Sequence, residues 1–368
     1  MKLRYKIGGT VLVLLAIAFG ALAYGLSHEK PCEPAPALDP GAPRMLAVVY
    51  RCYGPPDVLQ LEEIEKPTPG PKQLLVRVHA ASVNPLDWHT MRGEPYLMRA
   101  EAGMGRPAEE RFGVDFAGVV EAAGQEVTRF KAGDEVFGMR TGAFAQYVLV
   151  GESRSVTLKP PQVSFEEAAA APVAALTALQ ALRDAGRIRP GQRVLINGAS
   201  GGVGTYAVQI AKSYGAEVTG VCSTRNRDLV KSLGADHVID YTKENFTESG
   251  KQYDLIIDNV GSHSLQAYRR ALTRNGVFVI VGGQKGGKWL GPMTSWIRAT
   301  VLSPFVSQDL MKLLSQGNQK DLDILRDLMR DGKVRSVIDR RYGLNEVRQA
   351  VAYVEEGHAR AKVVINLQ

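Results

Sequence analysis

The stretch Arg193-Val-Leu-Ile-Asn-Gly-Ala-Ser-Gly-Gly-Val-Gly-Thr-Tyr-Ala-Val-Gln-Ile-Ala-Lys-Ser-Tyr-Gly215 decides the fold. Arg193 to Asn197 read as a buried strand, Gly198 to Gly204 as a glycine turn, and the remainder as an amphipathic helix. Ala199, Gly201 and Gly204 occupy the three positions of a G-x-G-x-x-G fingerprint, with alanine in place of the first glycine. With no Cβ at Gly201, backbone N–H groups can approach a pyrophosphate closely, while Gly204 lets the helix lie tight against the strand. The helix N-terminus then faces the anion, so the stretch reads as a dinucleotide cradle.

A tight strand-to-helix turn that binds nothing would carry the same glycines. The residues that follow argue for the cradle: Glu217 to Ser223, His237 to Tyr241, Tyr253 to Asn259 and Val277 to Gly283 are short β-rich runs separated by helical or turn segments. That alternation predicts an α/β architecture with a doubly wound parallel sheet. An NAD-binding chain normally ends its second strand on an acid that binds the ribose hydroxyls; here the slot holds Ser223, among Cys222, Thr224, Arg225, Asn226 and Arg227. A 2′-phosphate would meet hydroxyl, amide and guanidinium donors there, which favours NADPH over NADH, the alternative being arginines on a solvated loop.

The 368 residues allow about two domains. The formal net charge is +7, yet no block of five like charges and no aromatic-basic stripe points to nucleic acid. Cys32, Cys52 and Cys222 have no C-x-x-C spacing, so the cysteines read as plain buried or surface thiols without a disulfide framework or cysteine-rich zinc lobe.

The N-terminus is different material. Lys2, Arg4 and Lys6 precede Ile7 to Leu26, twenty residues without a charge. As a helix such a run rises about 30 Å, the thickness of a hydrocarbon core. It reads as an uncleaved single-pass membrane anchor. A signal peptide cut near Ala21-Leu22-Ala23 is the alternative. Pro31, Pro34, Pro36, Pro40 and Pro43 then make residues 27–44 an extended tether. The charge bias across the run places the soluble part on the far side of the membrane, whereas NADPH is expected in the cytoplasm, and no twin-arginine pair precedes the run. Residues 45–167, with alternating runs such as Leu74 to Ala80, predict a β-rich barrel-like domain. Residues 168–305 make the nucleotide-binding domain. Within residues 306–368, Val337 to Tyr342, a helix from Asn345 to Glu356 and a last strand Lys362 to Leu367 complete both.

Six motifs carry a resemblance: Tyr53-Gly-Pro-Pro-Asp-Val-Leu59, Ala81-Ser-Val-Asn-Pro-Leu-Asp87, Gly113-Val-Asp-Phe-Ala-Gly-Val-Val120, Gly133-Asp-Glu-Val-Phe137, Gly198 to Gly204, and Leu233-Gly-Ala-Asp236. Over residues 45–367 the chain resembles the medium-chain dehydrogenases/reductases, in their zinc-independent quinone oxidoreductase-like group. The resemblance implies a GroES-like β-rich catalytic domain beside a Rossmann domain. Zinc-dependent members hold a catalytic metal with Cys, His and Cys; the corresponding positions here are Asn84, Val114 and Val173, which supply no thiolate or imidazole. The six histidines are scattered and read as surface or structural residues.

The implied reaction is hydride transfer from NADPH to an acceptor that is already electrophilic, a quinone or an α,β-unsaturated carbonyl. By resemblance, Tyr53, Asn84, Asp87 and Thr177 lie near nicotinamide and substrate, Tyr53 to donate a proton or hydrogen bond, Asn84 to polarise a carbonyl and Thr177 to touch the nicotinamide edge. Each has a structural alternative: a core tyrosine, a turn before Pro85, a helix cap and a helix back-bond. Ser200, Gly201, Gly202, Val203 and Gly204 are assigned to the pyrophosphate. Ser223, Arg225, Asn226 and Tyr241 fall to the adenosine phosphate, and Asn259, Val260, Gly261 and Gly282 to the nicotinamide side. Many relatives carry lysine at Asn226.

Residues 284–306 contain Trp289, Leu290, Met293, Trp296, Ile297, Val301, Leu302 and Phe305 without an acid. They read either as a lid admitting a lipophilic acceptor near a membrane, or as a homodimer contact or core helix. Two functional classes stay open, a membrane-anchored NADPH-dependent quinone or enone reductase and an NADPH-binding regulatory or scaffold protein with little turnover. Alcohol oxidation, which would need a metal or another base, is a weaker third.

Overall fold

A two-stranded ribbon and two larger sheets share the strands of the described residues. The structure, a computed structural model, describes residues 17–283, 287–291 and 293–367. β1 (Arg44–Val49) and β2 (Gln60–Glu65) form an antiparallel ribbon. β3 (Gln73–Val83), β4 (Asp115–Ala123), β5 (Glu135–Met139), β6 (Tyr147–Gly151) and β7 (Val156–Leu158) make an antiparallel half. β8 (Arg193–Asn197), β9 (Glu217–Cys222), β10 (His237–Asp240), β11 (Tyr253–Asp258), β12 (Leu272–Ile280) and β13 (Asp309–Lys312) form a parallel sheet. β14 (Ile338–Gly343) and β15 (Lys362–Asn366) return to the antiparallel half, where β15 pairs with β3.

Helices cover both faces of the parallel sheet, and its central strand has no polar alternation to spare. Val194 and Ile196 of β8 point to one core, with Tyr206, Val208 and Ile210 of the helix Gly202–Ser213. Leu195 points to the other, with Ile256, Tyr268 and Phe278. Side chains alternate across a strand, so the same three residues serve two cores. The order is β10-β9-β8-β11-β12-β13. The chain therefore runs outward from β8 to β10, then crosses back to β11 and runs out the other way. The crevice at that reversal, beyond the carboxyl ends of β8 and β11, is where such sheets bind ligands.

The four β-rich runs expected after the cradle are β9 to β12, with β12 starting earlier, at Leu272. A register irregularity between Tyr253 and Leu255 of β11 accommodates that extension. β13 was not expected, because Asp-Leu-Met-Lys is a four-residue edge strand with a charge at each end.

Two readings of the N-terminal region change. Cys32 and Cys52 are joined by a disulfide, and the remaining cysteine, Cys222, is a buried thiol pushed up to about 11 mainly by burial. Nor is residues 27–44 a free tether. Arg99, fully buried, donates to the Leu26 carbonyl at 3.2 Å and to the Glu29 carboxylate at 2.7 Å. The Lys30 N–H donates to the Gly105 carbonyl, and Arg106 pairs with Glu33. Cysteine spacing says nothing about contacts with a chain folded back on itself, which is why the strap was illegible. Of the expected membrane helix, residues 7–16 lie outside the described residues; residues 17–27 are helical. Among the described residues no helix is long and apolar enough to cross a membrane.

Cys32→Ser with Cys52→Ser should lower Tm by roughly 5–10 °C, given about 3 kcal/mol for a loop of this size. Thermal denaturation with and without reductant checks it; a Tm unchanged in both would mean that the ion pairs alone hold the strap.

Candidate functional site

The crevice at the sheet's reversal is rimmed by half-buried residues from three loops: Ser200 to Val203 after β8, Ser223 after β9, and Asn259 with Gly261 after β11. Gly201 caps the helix Gly202–Ser213, whose first N–H groups have no side-chain cap. A Cβ at Gly204 would lie 2.1 Å from the Gly198 carbonyl oxygen, so only glycine allows this helix so close to the strand's end. At Gly201 a Cβ would meet nothing closer than 3.4 Å, leaving the space an anion would take open. These residues fit a dinucleotide's phosphates.

Beside β9 the donors are held together. Asn226 Nδ2 donates to Ser200 Oγ at 3.0 Å and to Ser223 Oγ at 3.2 Å, and its Oδ1 is buried without a partner. The Arg225 guanidinium donates to the His358 carbonyl, and Tyr241 is exposed at the end of β10. Asp240, the last residue of β10, accepts from the Thr224 and Thr242 hydroxyls, which holds its pKa low and commits it to its own loop.

On the other side of the crevice, Asp258 organises the loop. Its Oδ1 accepts from the Val260 and Gly261 N–H groups at 3.1 and 3.0 Å and from Asn197 Nδ2 at 2.9 Å. Asn259 Nδ2 donates to the Asn197 carbonyl, leaving a second buried, unpartnered amide oxygen at Asn259 Oδ1. Gly282 packs on this loop, where a Cβ would lie 2.3 Å from the Asn259 carbonyl oxygen.

The substrate-side candidates are gathered by a buried polar knot. Asn84, Asp115 and Lys362 are each at most 2% exposed. Lys362 Nζ donates to Asn84 Oδ1 at 2.5 Å and to the Val83 carbonyl at 3.3 Å, and lies 3.7 Å from Asp115 Oδ2. Asn84 Nδ2 donates to Asp115 Oδ2 at 2.9 Å and to the Ser82 carbonyl. Asp115 Oδ1 accepts from the Val173 N–H at 3.0 Å, which ties the knot to the helix Pro172–Gln180. Burial raises Asp115 and lowers Lys362, and each charge opposes the other's shift.

Asp87 closes a capping box by accepting from the Asn84 N–H at 2.7 Å. Thr177 donates to the Val173 carbonyl one turn back. Among Pro172–Gln180 only Val173 and Thr177 are not fully buried; four residues apart, they share the helix face that is not closed over. Tyr53 is buried, donates to the Gly103 carbonyl at 2.8 Å and carries the Arg99 guanidinium 4.4 Å over its ring. Burial pushes its hydroxyl up to about 12.

A zinc ion does not fit the three positions where zinc-dependent relatives hold one. Val114 and Val173 offer no donor, and the one available oxygen, Asn84 Oδ1, already accepts from an ammonium. Among the described residues no group of three or more His, Cys, Asp or Glu is placed to hold a metal.

Sequence reasoning assigned no role to Lys362, Asp115 or Asp258. A single acid heading the apolar run Phe116 to Val120 and a lysine heading the apolar run Val363 to Ile365 were the available signals. The C-terminal strand was expected, but its contact with the phosphate loop was not. Ala361 donates to the Ser200 carbonyl at 2.8 Å, bridges Gly201 and sits at φ 68°, left-handed for a residue with a Cβ. That conformation costs about 1 kcal/mol and is held by the phosphate loop.

The family model described as alcohol dehydrogenase GroES-like domain matches residues 70–161, and that described as zinc-binding dehydrogenase matches residues 233–365. The chain is 35% identical over 338 residues to the chloroplast envelope quinone oxidoreductase homolog of Arabidopsis thaliana, covering 87% of this chain and 98% of that protein. It is 34% identical to the mitochondrial NAD(P)H oxidoreductase RTN4IP1 of Mus musculus, covering 81% and 82% of the two chains. The solved quinone oxidoreductase of Coxiella burnetii superposes with a TM-score of 0.77 at 32% identity, covering 88% of this chain and 100% of that one.

Burial, with Asp115 adding and the Asn84 N–H and Lys362 opposing, pushes Asp87 from 3.8 to about 7. Between those values the folded chain holds a proton that the unfolded chain has lost, so this contribution to stability falls as pH rises through the window. Asp87→Asn keeps the cap acceptor without the charge. It should exceed wild type in Tm by several degrees at about pH 8 and by almost nothing near pH 4, measured by calorimetry; an equal difference at both values would refute the assignment.

Proposed function

Because the chain belongs to the medium-chain dehydrogenase/reductase superfamily, in its quinone oxidoreductase-like group, we propose that it transfers hydride from NADPH to a quinone or an α,β-unsaturated carbonyl without a metal ion. That it is an oxidoreductase with a nicotinamide cofactor follows from the family. The choice of NADPH rests on one observation: Ser200, Ser223, Asn226 and Arg225 collect donors where an NAD site carries a carboxylate.

When bound, the nicotinamide supplies the hydride. The chain holds the phosphates at the N–H groups after β8 and fixes the Asn259–Gly261 loop through Asp258. Beneath the Val173–Thr177 face it keeps the Asn84, Asp115 and Lys362 knot rigid. Quinones and enones are electrophilic before they bind, so a preorganised polar environment for the developing oxyanion takes the place of a Lewis acid.

A second reading, an NADPH-binding protein with little turnover, is favoured by a specific observation. Tyr53, Asn84, Asp87 and Thr177 all spend their hydrogen bonds inside the protein. Oxidation of NADPH and NADH against a panel of quinones and enones separates the readings: acceptor-dependent turnover supports the reductase, and tight NADPH binding without turnover supports the scaffold.

Ser223→Asp should lower kcat/KM for NADPH by roughly 10- to 100-fold and spare NADH, the scale of one or two lost charge-assisted hydrogen bonds. Equal loss with both cofactors would remove Ser223 from phosphate recognition. Thr177→Val, which deletes only a hydroxyl at the cleft face, should cost about fivefold or more in kcat/KM at unchanged Tm; wild-type kinetics would take Thr177 out of the site.

A further inference from the structure

The helix Met293–Leu302 is apolar on two sides. Trp296, Ala299 and Leu302 pack into the core on one face of the parallel sheet. Ile297 and Val301, one turn apart, point outward with Phe305 another turn on, and Val301 and Phe305 are 66% and 81% exposed. A surface helix ordinarily turns charge to solvent; on this helix the one charged residue is Arg298, and Lys312 reaches Thr300 from β13 at 3.2 Å. Just before the helix, Trp289 and Leu290 are exposed as well.

This face joins the strapped N-terminal segment through two side chains. The Trp289 ring meets the Tyr96 ring edge-on at 5.3 Å, and the Tyr96 N–H donates to the Lys288 carbonyl. Tyr96 carries the Arg99 guanidinium 4.4 Å above it, and Arg99 holds the Leu26 carbonyl and Glu29. From Leu26 the helical residues 17–27 lead away, with Phe19 74% exposed and Leu22 outward too. They end the twenty-residue uncharged run, Ile7 to Leu26, that Lys2, Arg4 and Lys6 precede.

We propose that this composite face, Trp289, Leu290, Ile297, Val301 and Phe305 together with the outward side of residues 17–27, lies on a lipid bilayer, so that a lipophilic acceptor reaches the reductase from the membrane. A bilayer accounts for both halves: the uncharged run is long enough for a hydrocarbon core, and its end is tied through Arg99 and Tyr96 to Trp289. Charge agrees, because Arg298 stands on residues 287–306, which contain no acid, while Lys288 is paired with Glu94 at 3.5 Å. The strap makes the geometry specific, since a free tether would let the domain tumble and no particular face would meet lipid. The choice of acceptor rests on the reductase reading; the docking does not.

The test uses the full chain reconstituted into phosphatidylcholine–phosphatidylglycerol vesicles, with or without bromine on the upper acyl chain as a quencher of tryptophan emission. The chain has three tryptophans, and quenching should appear and be largely lost in Trp289→Phe. Val301→Asp with Phe305→Asp, two exposed positions whose change leaves the core intact, should cut quenching by half or more. The same double variant should lower kcat/KM for a long-chain quinone in the bilayer by about tenfold and leave that for a water-soluble short quinone within about twofold. Emission identical in brominated and plain vesicles overturns the proposal, as does quenching unaffected by the double variant or a chain that does not associate with vesicles. Quenching without turnover of any quinone would keep the docking and remove the reductase reading; turnover of the soluble quinone without quenching would do the reverse.

Discussion

A lysine ammonium buried between the two halves is the constraint on which the site depends. Lys362 is 2% exposed, and an unpaired charge so placed would cost several kcal/mol. It persists because Asn84 Oδ1 and the Val83 carbonyl accept from it and Asp115 lies 3.7 Å away. Those partners sit at the end of β3, at the start of β4 and, through the Val173 N–H, on the helix Pro172–Gln180. The preceding residue, Ala361, is bound to the phosphate loop, and the Lys362 stem lies against Gly202. One residue therefore sets the distance between the cofactor cradle and the substrate-side loop. The electrostatics also explain why a zinc ion does not fit there: the oxygen that would face a metal already faces a cation.

The parallel sheet was legible because its signals are local. A strand, a glycine turn and a helix occupy consecutive residues from Arg193 to Gly215, and the apolar runs of β9 to β12 follow at regular intervals. The same holds for the placement of Ser200 to Gly204 at the crevice, because they lie within that one stretch. The substrate-side arrangement was legible only as a resemblance, because Asn84, Asp115, Val173 and Lys362 come from four separate segments and no periodicity links them. Asp258 was hidden for a different reason: as the last residue of β11 it reads as a strand terminus, while its work is to accept N–H groups two and three residues on. β13 escaped because a four-residue edge strand between charges has no pattern of its own.

The Pro-rich segment shows how composition can mislead about packing. Five prolines between residues 31 and 43 do favour an extended backbone, yet extension is compatible with lying along a surface. What holds it is side-chain chemistry that composition does not reveal. Arg99 needs acceptors for a fully buried guanidinium, and of its four, two, the Leu26 carbonyl and the Glu29 carboxylate, come from the strap. Removing the strap would leave that guanidinium short of partners against the Tyr53 and Tyr96 rings, so the segment is part of the domain's core rather than an appendage.

The strap bears on the conflict in the sequence between the charge bias, which would put the domain across a membrane from Lys2, Arg4 and Lys6, and a cofactor expected in the cytoplasm. A disulfide such as Cys32–Cys52 persists in oxidising surroundings, which agrees with the charge bias. In reducing surroundings the covalent link would open, but the Arg99–Glu29 and Arg106–Glu33 pairs and the Lys30–Gly105 hydrogen bond do not depend on it. Arg99 is the deciding member: its pair with Glu29 is anchored by a fully buried partner and is screened far less than a pair exposed on both sides. The strap's geometry therefore does not depend on the redox compartment, and only its covalent reinforcement is tied to it.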